Sequence, residues 1–98
     1  MTKLQILKSD KEGKKYKAIF TKDGKTKTVH FGAFGASGYE DYTQHHDKER
    51  RRLYRQRHMK DLKNDPMRAG YLSFYILWGN STNLQTNIKA FKTKFGFI

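Results

Sequence analysis

The stretch KKYKAIFTKDGKTKTVHF, residues 14–31, decides the fold because it has the pattern of a β-hairpin. Asp23-Gly24 is a favoured two-residue turn between antiparallel strands. The turn fixes which residues face one another, and five of the six residues on one face are apolar or aromatic. The predicted pairs on that face are Tyr16 with Phe31, Ala18 with Val29, and Phe20 with Lys27. Because the turn and the alternation agree, this face should be buried.

The segments that flank the hairpin predict a further strand and a loop. KLQILK at residues 3–8 predicts a short N-terminal edge strand, and a polar turn that includes Gly13 follows it. GAFGASG at residues 32–38 ends the alternation and predicts an irregular loop. A chain of this length makes one domain. The predicted single domain, 1–98, contains a β-hairpin region at 1–34, a Gly-rich loop at 35–46 and a helical region at 47–98.

Two helices are predicted directly after the loop. The first spans about residues 47–62 and ends in KNDP, because the residue before a proline avoids helical geometry. The second begins with Asp65 as its N-cap and Pro66 in its first turn. It runs to Trp78, where Gly79 stops it.

A third helix completes the fold class. Ser81 or Thr82 should cap it, since Thr82 and Gln85 fit a capping box. A narrow apolar stripe along this helix should face the core. The stripe consists of Leu84, Ile88, Phe91 and Phe95. The prediction is an α+β fold, in which a small antiparallel β-sheet (the hairpin plus the N-terminal edge strand) is followed by three α-helices packed on one face.

The second helix is apolar nearly all round. Leu72 and Ile76 lie opposite its main apolar side. Such a helix is either central in the core or part of an interface. The sequence therefore also predicts a homo-oligomer contact through Leu72 and Ile76.

Charge points to a polyanionic partner. The formal net charge is +12, while 36% of the residues are hydrophobic, which argues against a disordered basic tail. The most basic run is KERRRLYRQRHMK at residues 48–60. At about 100° per helical residue, Lys48, Arg51, Arg52 and Arg55 share one stripe. The predicted nucleic-acid contacts are Lys48, Arg51, Arg52, Arg55 and Lys60 on this helix, with Lys15, Lys17, Lys25 and Lys27 on the hairpin.

Residues on the opposite side of the same helix are predicted to have structural roles. Arg50, Arg57 and His46 share that side with Leu53 and Tyr54. We expect this side to meet the sheet or the second helix, where charged groups need partners. The structural residues are thus predicted to be Arg50, Arg57, His46 and Tyr54, with Asp41, Asp47 and Asp65 as candidate partners.

An enzyme is the alternative reading of the histidines. His45 or His46 with Asp41 or Asp47 would fit a small metal-dependent nuclease. Ligands on one helix favour a spacing of four residues, which adjacent histidines lack. No catalytic residue, metal site or cofactor is therefore predicted. The chain has no cysteine, which excludes disulfides, and its longest apolar stretch is too short to cross a bilayer, so no membrane partner is expected.

Several motifs resemble a family of viral proteins. They are YKAIF, KTVHFG, GYEDYTQHHDKERRRLYRQRH and NDPMRAGYLSFYILWG, in this order between residues 16 and 79. The pattern resembles a small basic protein family of nucleocytoplasmic large DNA viruses, the giant viruses. The resemblance implies a viral origin and an association with DNA or with virion packaging. It implies no catalytic residues.

The residues and the resemblance predict the same function. We expect sequence-nonspecific nucleic-acid binding through the phosphate backbone, with duplex DNA favoured over single strands. Such a protein would associate with or package a viral genome. It would lie inside the virion, or in the nucleus or viral factory of the infected host cell. Besides the nuclease, a second alternative to nucleic-acid binding is a virion or host-interaction protein that binds acidic partners.

Overall fold

The computed structural model describes residues 1–33, 41–62 and 65–98 and begins with a three-stranded antiparallel sheet. Its strands are β1 (Lys3–Lys8), β2 (Lys14–Lys22) and β3 (Lys25–Ala33), in the order β1-β2-β3. The predicted register is confirmed, with Tyr16 opposite Phe31 and Phe20 opposite Lys27. Asp23 (φ 52°) and Gly24 (φ 78°) both have the positive φ that a type I′ turn requires.

The helical region confirms the predicted α+β class. It contains a one-turn α1 (Tyr42–His45), α2 (Lys48–His58) with a 3₁₀ turn at Met59–Asp61, α3 (Ala69–Leu72) with a π-helical turn at Ser73–Leu77, and α4 (Leu84–Phe95). Residues 35–40 of the predicted loop at 35–46 lie outside the described residues, as do residues 63 and 64 of KNDP. Tyr42–His45 form α1, so the loop prediction is wrong for that part. No helix within the described ranges is long and apolar enough to cross a membrane.

Two predicted helix starts are wrong. Asp65 accepts a hydrogen bond from the Met67 amide at 3.0 Å, and this closes a turn, so α3 begins only at Ala69. The N-cap of α4 is Asn83, whose side chain accepts from the Thr86 amide at 3.0 Å. The hydroxyl of Ser81 instead accepts from the Asn83 amide, which holds the cap in place.

The core lies between one face of the sheet and the helices. Its buried apolar residues are Leu4, Ala18, Phe20, Phe31, Tyr42, Leu72, Ile76, Leu77, Trp78, Ile88 and Phe91. Leu72 and Ile76 are 0% exposed, so the predicted oligomer contact through these two side chains is wrong. The reason is that α3 and its π-helical turn are central, with β3 and α4 packed around them.

A buried amide holds the connection between the π-helical turn and α4. The side-chain nitrogen of Asn87 donates to the carbonyls of Ile76 (2.8 Å) and Ser81 (2.7 Å), and its oxygen accepts from the Ser81 amide (3.1 Å). Gly79 is packed closely, since a Cβ there would lie 2.9 Å from the Asn87 side-chain oxygen and 2.3 Å from the carbonyl oxygen of Tyr75. Only glycine fits this approach without a shift of the backbone.

Candidate nucleic-acid interface

Helix α2, which carries the basic run, begins at a good N-cap. The Asp47 carboxylate accepts hydrogen bonds from the amides of Glu49 (3.0 Å) and Arg50 (3.2 Å). Glu49 in the first turn and the basic residues of the last turn complement the helix dipole. Local sequence therefore favours a helix here, independently of what its faces contact.

The inner face of α2 is not the predicted one. Arg51, Tyr54, Arg55 and His58 follow a helical spacing and are all half-buried. The predicted cationic stripe is therefore divided, because Arg51 and Arg55 point toward the body of the protein. Lys48 and Arg52 from that stripe are exposed.

The two inner arginines bind backbone carbonyls at the end of the π-helical turn. Arg55 donates through Nη1 to the carbonyls of Phe74 (3.1 Å) and Trp78 (2.8 Å). Arg51 donates through Nε to the carbonyl of Gly79 (2.6 Å) and through Nη2 to the side chain of Asn80 (2.7 Å). Carbonyls at a helix end have no partner within the helix, so these guanidinium groups act as C-terminal caps.

The π-helical turn explains why a carbonyl is available to Arg55. The Trp78 amide donates to the carbonyl of Ser73, five residues back, at 3.0 Å. In a regular α-helix the same amide would use the carbonyl of Phe74, four residues back. That carbonyl accepts from Arg55 instead, and the guanidinium carbon lies 4.0 Å from the centroid of the Phe74 ring.

Burial also affects the charge of Arg55. Burial lowers the pKa of its guanidinium, and the neighbouring Arg51 cation lowers this pKa further. Arginine remains protonated at physiological pH because its usual pKa is very high. Two cations therefore lie side by side on the inner face of α2.

Aromatic stacking fixes the rest of the inner face. The rings of Tyr54 and Trp78 are stacked, with centroids 4.1 Å apart and planes 7° from parallel. The His58 ring lies 4.2 Å from the ring of Tyr54. Tyr54 thus lies inward, as expected for a structural residue.

The outer face of α2 carries residues that were expected to be inside. Arg50, Arg57 and His46 are exposed, and 42% of the surface of Leu53 is accessible to solvent. Their predicted inward orientation is wrong, because the carbonyl contacts and the stack against Trp78 place the opposite side of the helix inward. The exposed cations of this face and of the 3₁₀ turn that follows it, called the outer face of α2 below, are Lys48, Arg50, Arg52, Arg57 and Lys60.

Arg52 differs from the other outer cations because it alone among them forms an ion pair with a carboxylate of the described residues. Its Nη2 lies 2.6 Å from Glu49 Oε1, and both side chains are mostly exposed. The hydrogen bond from Arg52, together with its charge, lowers the pKa of the Glu49 carboxyl. Exposed pairs of this kind contribute little to stability, but the pairing offsets one positive charge on this surface.

The hairpin lysines are also divided between surface and interior. Lys15 Nζ lies 2.8 Å from Asp41 Oδ2, and the two side chains are only 7% and 5% exposed, so the predicted surface position of Lys15 is wrong. Asp41 further accepts from the amide and the hydroxyl of Thr43. Lys17 is half-buried and lies 3.7 Å from Asp10, whereas Lys25 and Lys27 are exposed beside the turn.

The histidines and acids of the nuclease alternative have other contacts. His46 Nε2 lies 3.2 Å from the carbonyl of Thr43, Asp41 binds Lys15, and Asp47 caps α2. The side chain of His45 lies outside the described part of the chain. Within the described residues, no group of three or more histidine, aspartate or glutamate side chains is placed to hold a metal ion.

Comparison with known proteins places the chain in a family. It is 38% identical over 80 residues to an uncharacterised protein of Acanthamoeba polyphaga mimivirus, covering 76% of this chain and 80% of the relative. This confirms the expected link with giant viruses. No solved structure matches the chain. A profile described as a family of unknown function (DUF5754) matches residues 4–58, which span the sheet and α2. Since this match covers more than half of the chain, the protein belongs to that family.

Proposed function

We propose that this protein binds nucleic acid through the phosphate backbone with little sequence preference. The observation that carries the proposal is an excess of exposed positive charge that the protein does not neutralise. The net charge is +12, and the carboxylate ion pairs among the described residues involve only Lys15, Lys17, Arg52 and Arg68. A polyanion would therefore release its counterions on contact with the remaining cations.

The cations that support the proposal form two groups. On α2, Lys48, Arg50 and Arg57 are exposed, as is Lys60 in the 3₁₀ turn that follows, and none of them has a carboxylate partner among the described residues. On the hairpin, Lys22, Lys25 and Lys27 surround the Asp23-Gly24 turn and are exposed. Arg51, Arg55 and Lys15 do not belong to this surface, because they hold the fold together.

Two features favour duplex DNA and weak sequence preference. Phosphate contacts position a protein but carry no base information, and Gln56 is the one amide side chain on α2. Single-strand binders present aromatic rings on which bases stack. Phe20 and Phe31 of the hairpin are 2% and 0% exposed, so these rings are not offered to bases.

The test is a salt titration of binding with matched charge variants. Fluorescence anisotropy would measure affinity for duplex DNA, single-stranded DNA and RNA between low and moderate salt. Arg50→Gln with Arg57→Gln should reduce the slope of log affinity against log salt by about two, for two lost phosphate contacts. Lys3→Gln with Lys89→Gln removes the same charge from other exposed positions and should reduce it less. Affinity that stays flat with salt, or equal effects of the two double variants, would contradict the proposed interface.

We also propose that the nucleic acid is the viral genome, in the virion interior or in the nucleus or viral factory of the infected cell. The support is the relative encoded by a giant virus. Crosslinking in infected cells, followed by sequencing of the attached DNA, should recover viral sequence broadly across the genome. Recovery of a few sites only, or of host sequence alone, would contradict this assignment.

A further inference from the structure

A cavity of about 370 Å³ lies between the end of the π-helical turn and one side of α4, from Thr86 in its first turn to Lys94 in its last, away from the outer face of α2. Its lining, among the described residues, includes the cations Arg55 and Lys94 and no carboxylate. Ser81 and Thr86 contribute hydroxyl groups. A cavity of this size is in the range of small-molecule sites.

Arg55 brings a half-buried charge that no anion in the described chain balances. Its hydrogen bonds go through Nη1 to two carbonyls, and no hydrogen bond within the described residues uses Nε or Nη2. Arg51 lies beside it and adds a second positive charge. A partly buried cation without a counterion is costly, so an anion in this cavity would be stabilised.

Lys94 is the other cation that lines this cavity, besides Arg55. Its Nζ lies 5.8 Å from the centroid of the Tyr75 ring, and the guanidinium carbon of Arg55 lies 5.8 Å from the same centroid. The two charges are therefore held around one aromatic ring. Thr86 lies at the other end of the cavity, in the first turn of α4, where its amide already donates to the Asn83 side chain.

We propose that this cavity binds a phosphate group carried by a nucleotide or by the end of a nucleic acid chain. A phosphate monoester has enough negative charge to complement Arg55 and Lys94, and its oxygens accept hydrogen bonds from guanidinium and ammonium groups. The remaining volume and the Tyr75 ring leave room for an attached sugar or base. This inference does not depend on the proposed backbone binding, because it uses different side chains.

The central test is isothermal titration calorimetry with inorganic phosphate and AMP. Lys94 is exposed and makes no hydrogen bond with the described chain, so Lys94→Gln should fold normally. It should weaken binding about tenfold, as expected for a lost charge-assisted contact. Lys89→Gln, on the same helix, is the matched control and should bind as the wild type does.

The failure of this inference can be told apart from that of the backbone proposal. Arg50→Gln with Arg57→Gln should leave phosphate binding unchanged, although it weakens duplex binding. Absence of saturable binding of either ligand up to about 10 mM, which corresponds to a very weak site, would overturn the inference. So would equal effects of Lys94→Gln and Lys89→Gln.

Comparison of ligands would then identify the source of the phosphate. A 5′-phosphorylated oligonucleotide that binds more tightly than its 5′-hydroxyl counterpart, with the difference lost in Lys94→Gln, would assign the site to chain ends. Tight binding of AMP without such a difference would assign it to a free nucleotide. Both outcomes support a phosphate site.

Discussion

The two faces of α2 carry the same side chain in different roles. On the inner face, Arg51 and Arg55 donate to backbone carbonyls at distances of 2.6–3.1 Å. On the outer face, Arg50 and Arg57 are exposed to solvent. The difference teaches that a cluster of arginines is not a single functional unit. What each guanidinium does depends on whether the fold places unpaired carbonyls opposite it.

Removing the inner arginines should have the largest effect. Arg51→Gln with Arg55→Gln should lower the free energy of unfolding by about 4 kcal/mol, because several charge-assisted hydrogen bonds to carbonyls are lost. Urea unfolding, followed by circular dichroism, measures the change. Arg50→Gln with Arg57→Gln is the control and should stay within about 0.5 kcal/mol of the wild type. Equal destabilisation by both pairs would break the distinction between the two faces.

The hairpin offers the same comparison between a buried and an exposed lysine. Lys15→Ala removes one partner of a buried ion pair and should destabilise the protein by about 3 kcal/mol. Lys25→Ala should leave stability unchanged and weaken duplex binding instead. Thermal unfolding combined with binding assays separates the two results. A stable Lys15→Ala variant would mean that this pair does not hold the fold.

The connection that presents carbonyls to Arg51 should also be sensitive. Asn87→Ala removes one buried and two partly buried hydrogen bonds and should cost about 2–3 kcal/mol. Asn83→Ala, which removes only the N-cap of α4, should cost about 1 kcal/mol. Denaturant unfolding of both variants gives the comparison. If Asn83→Ala proved the more damaging, the connection would not depend on the buried amide.

The smallest effect is expected at Arg52, the outer cation that pairs with Glu49. Glu49→Gln releases Arg52, so the affinity for duplex DNA should rise a few-fold and the salt slope should steepen by about one. Anisotropy at several salt concentrations measures both quantities. An unchanged slope would indicate that Arg52 lies outside the interface.

Local patterns were sufficient to predict the sheet and the presence of the helices. The Asp23-Gly24 turn and the alternation beside it determine the register, since both act between residues close in sequence. The orientation of α2 could not be predicted in this way. Its inner face is selected by carbonyls at the end of the π-helical turn, and a backbone carbonyl has no signature in the sequence.

The same limit applies to single residues of the site. The apolar side chain of Leu53 led to the wrong prediction of which face of α2 is buried, since 42% of its surface is accessible to solvent. Lys15 is separated from Asp41 by 26 positions, so nothing in the hairpin itself indicated a buried ion pair. The structural roles of Asn87 and Gly79 could not be predicted from sequence. The stretch GNSTN at residues 79–83 has a composition that is common in ordinary loops.

The wide π-helical turn has a consequence for the history of this family. A π-helical turn arises when one extra residue is accommodated within an α-helix. Here it frees the carbonyl of Phe74, which Arg55 then occupies. The extra residue of the π-helical turn and Arg55 should therefore be inherited together. Relatives in which a one-residue deletion restores a regular helix at this point should tolerate loss of the arginine, whereas relatives that keep the insertion should retain it.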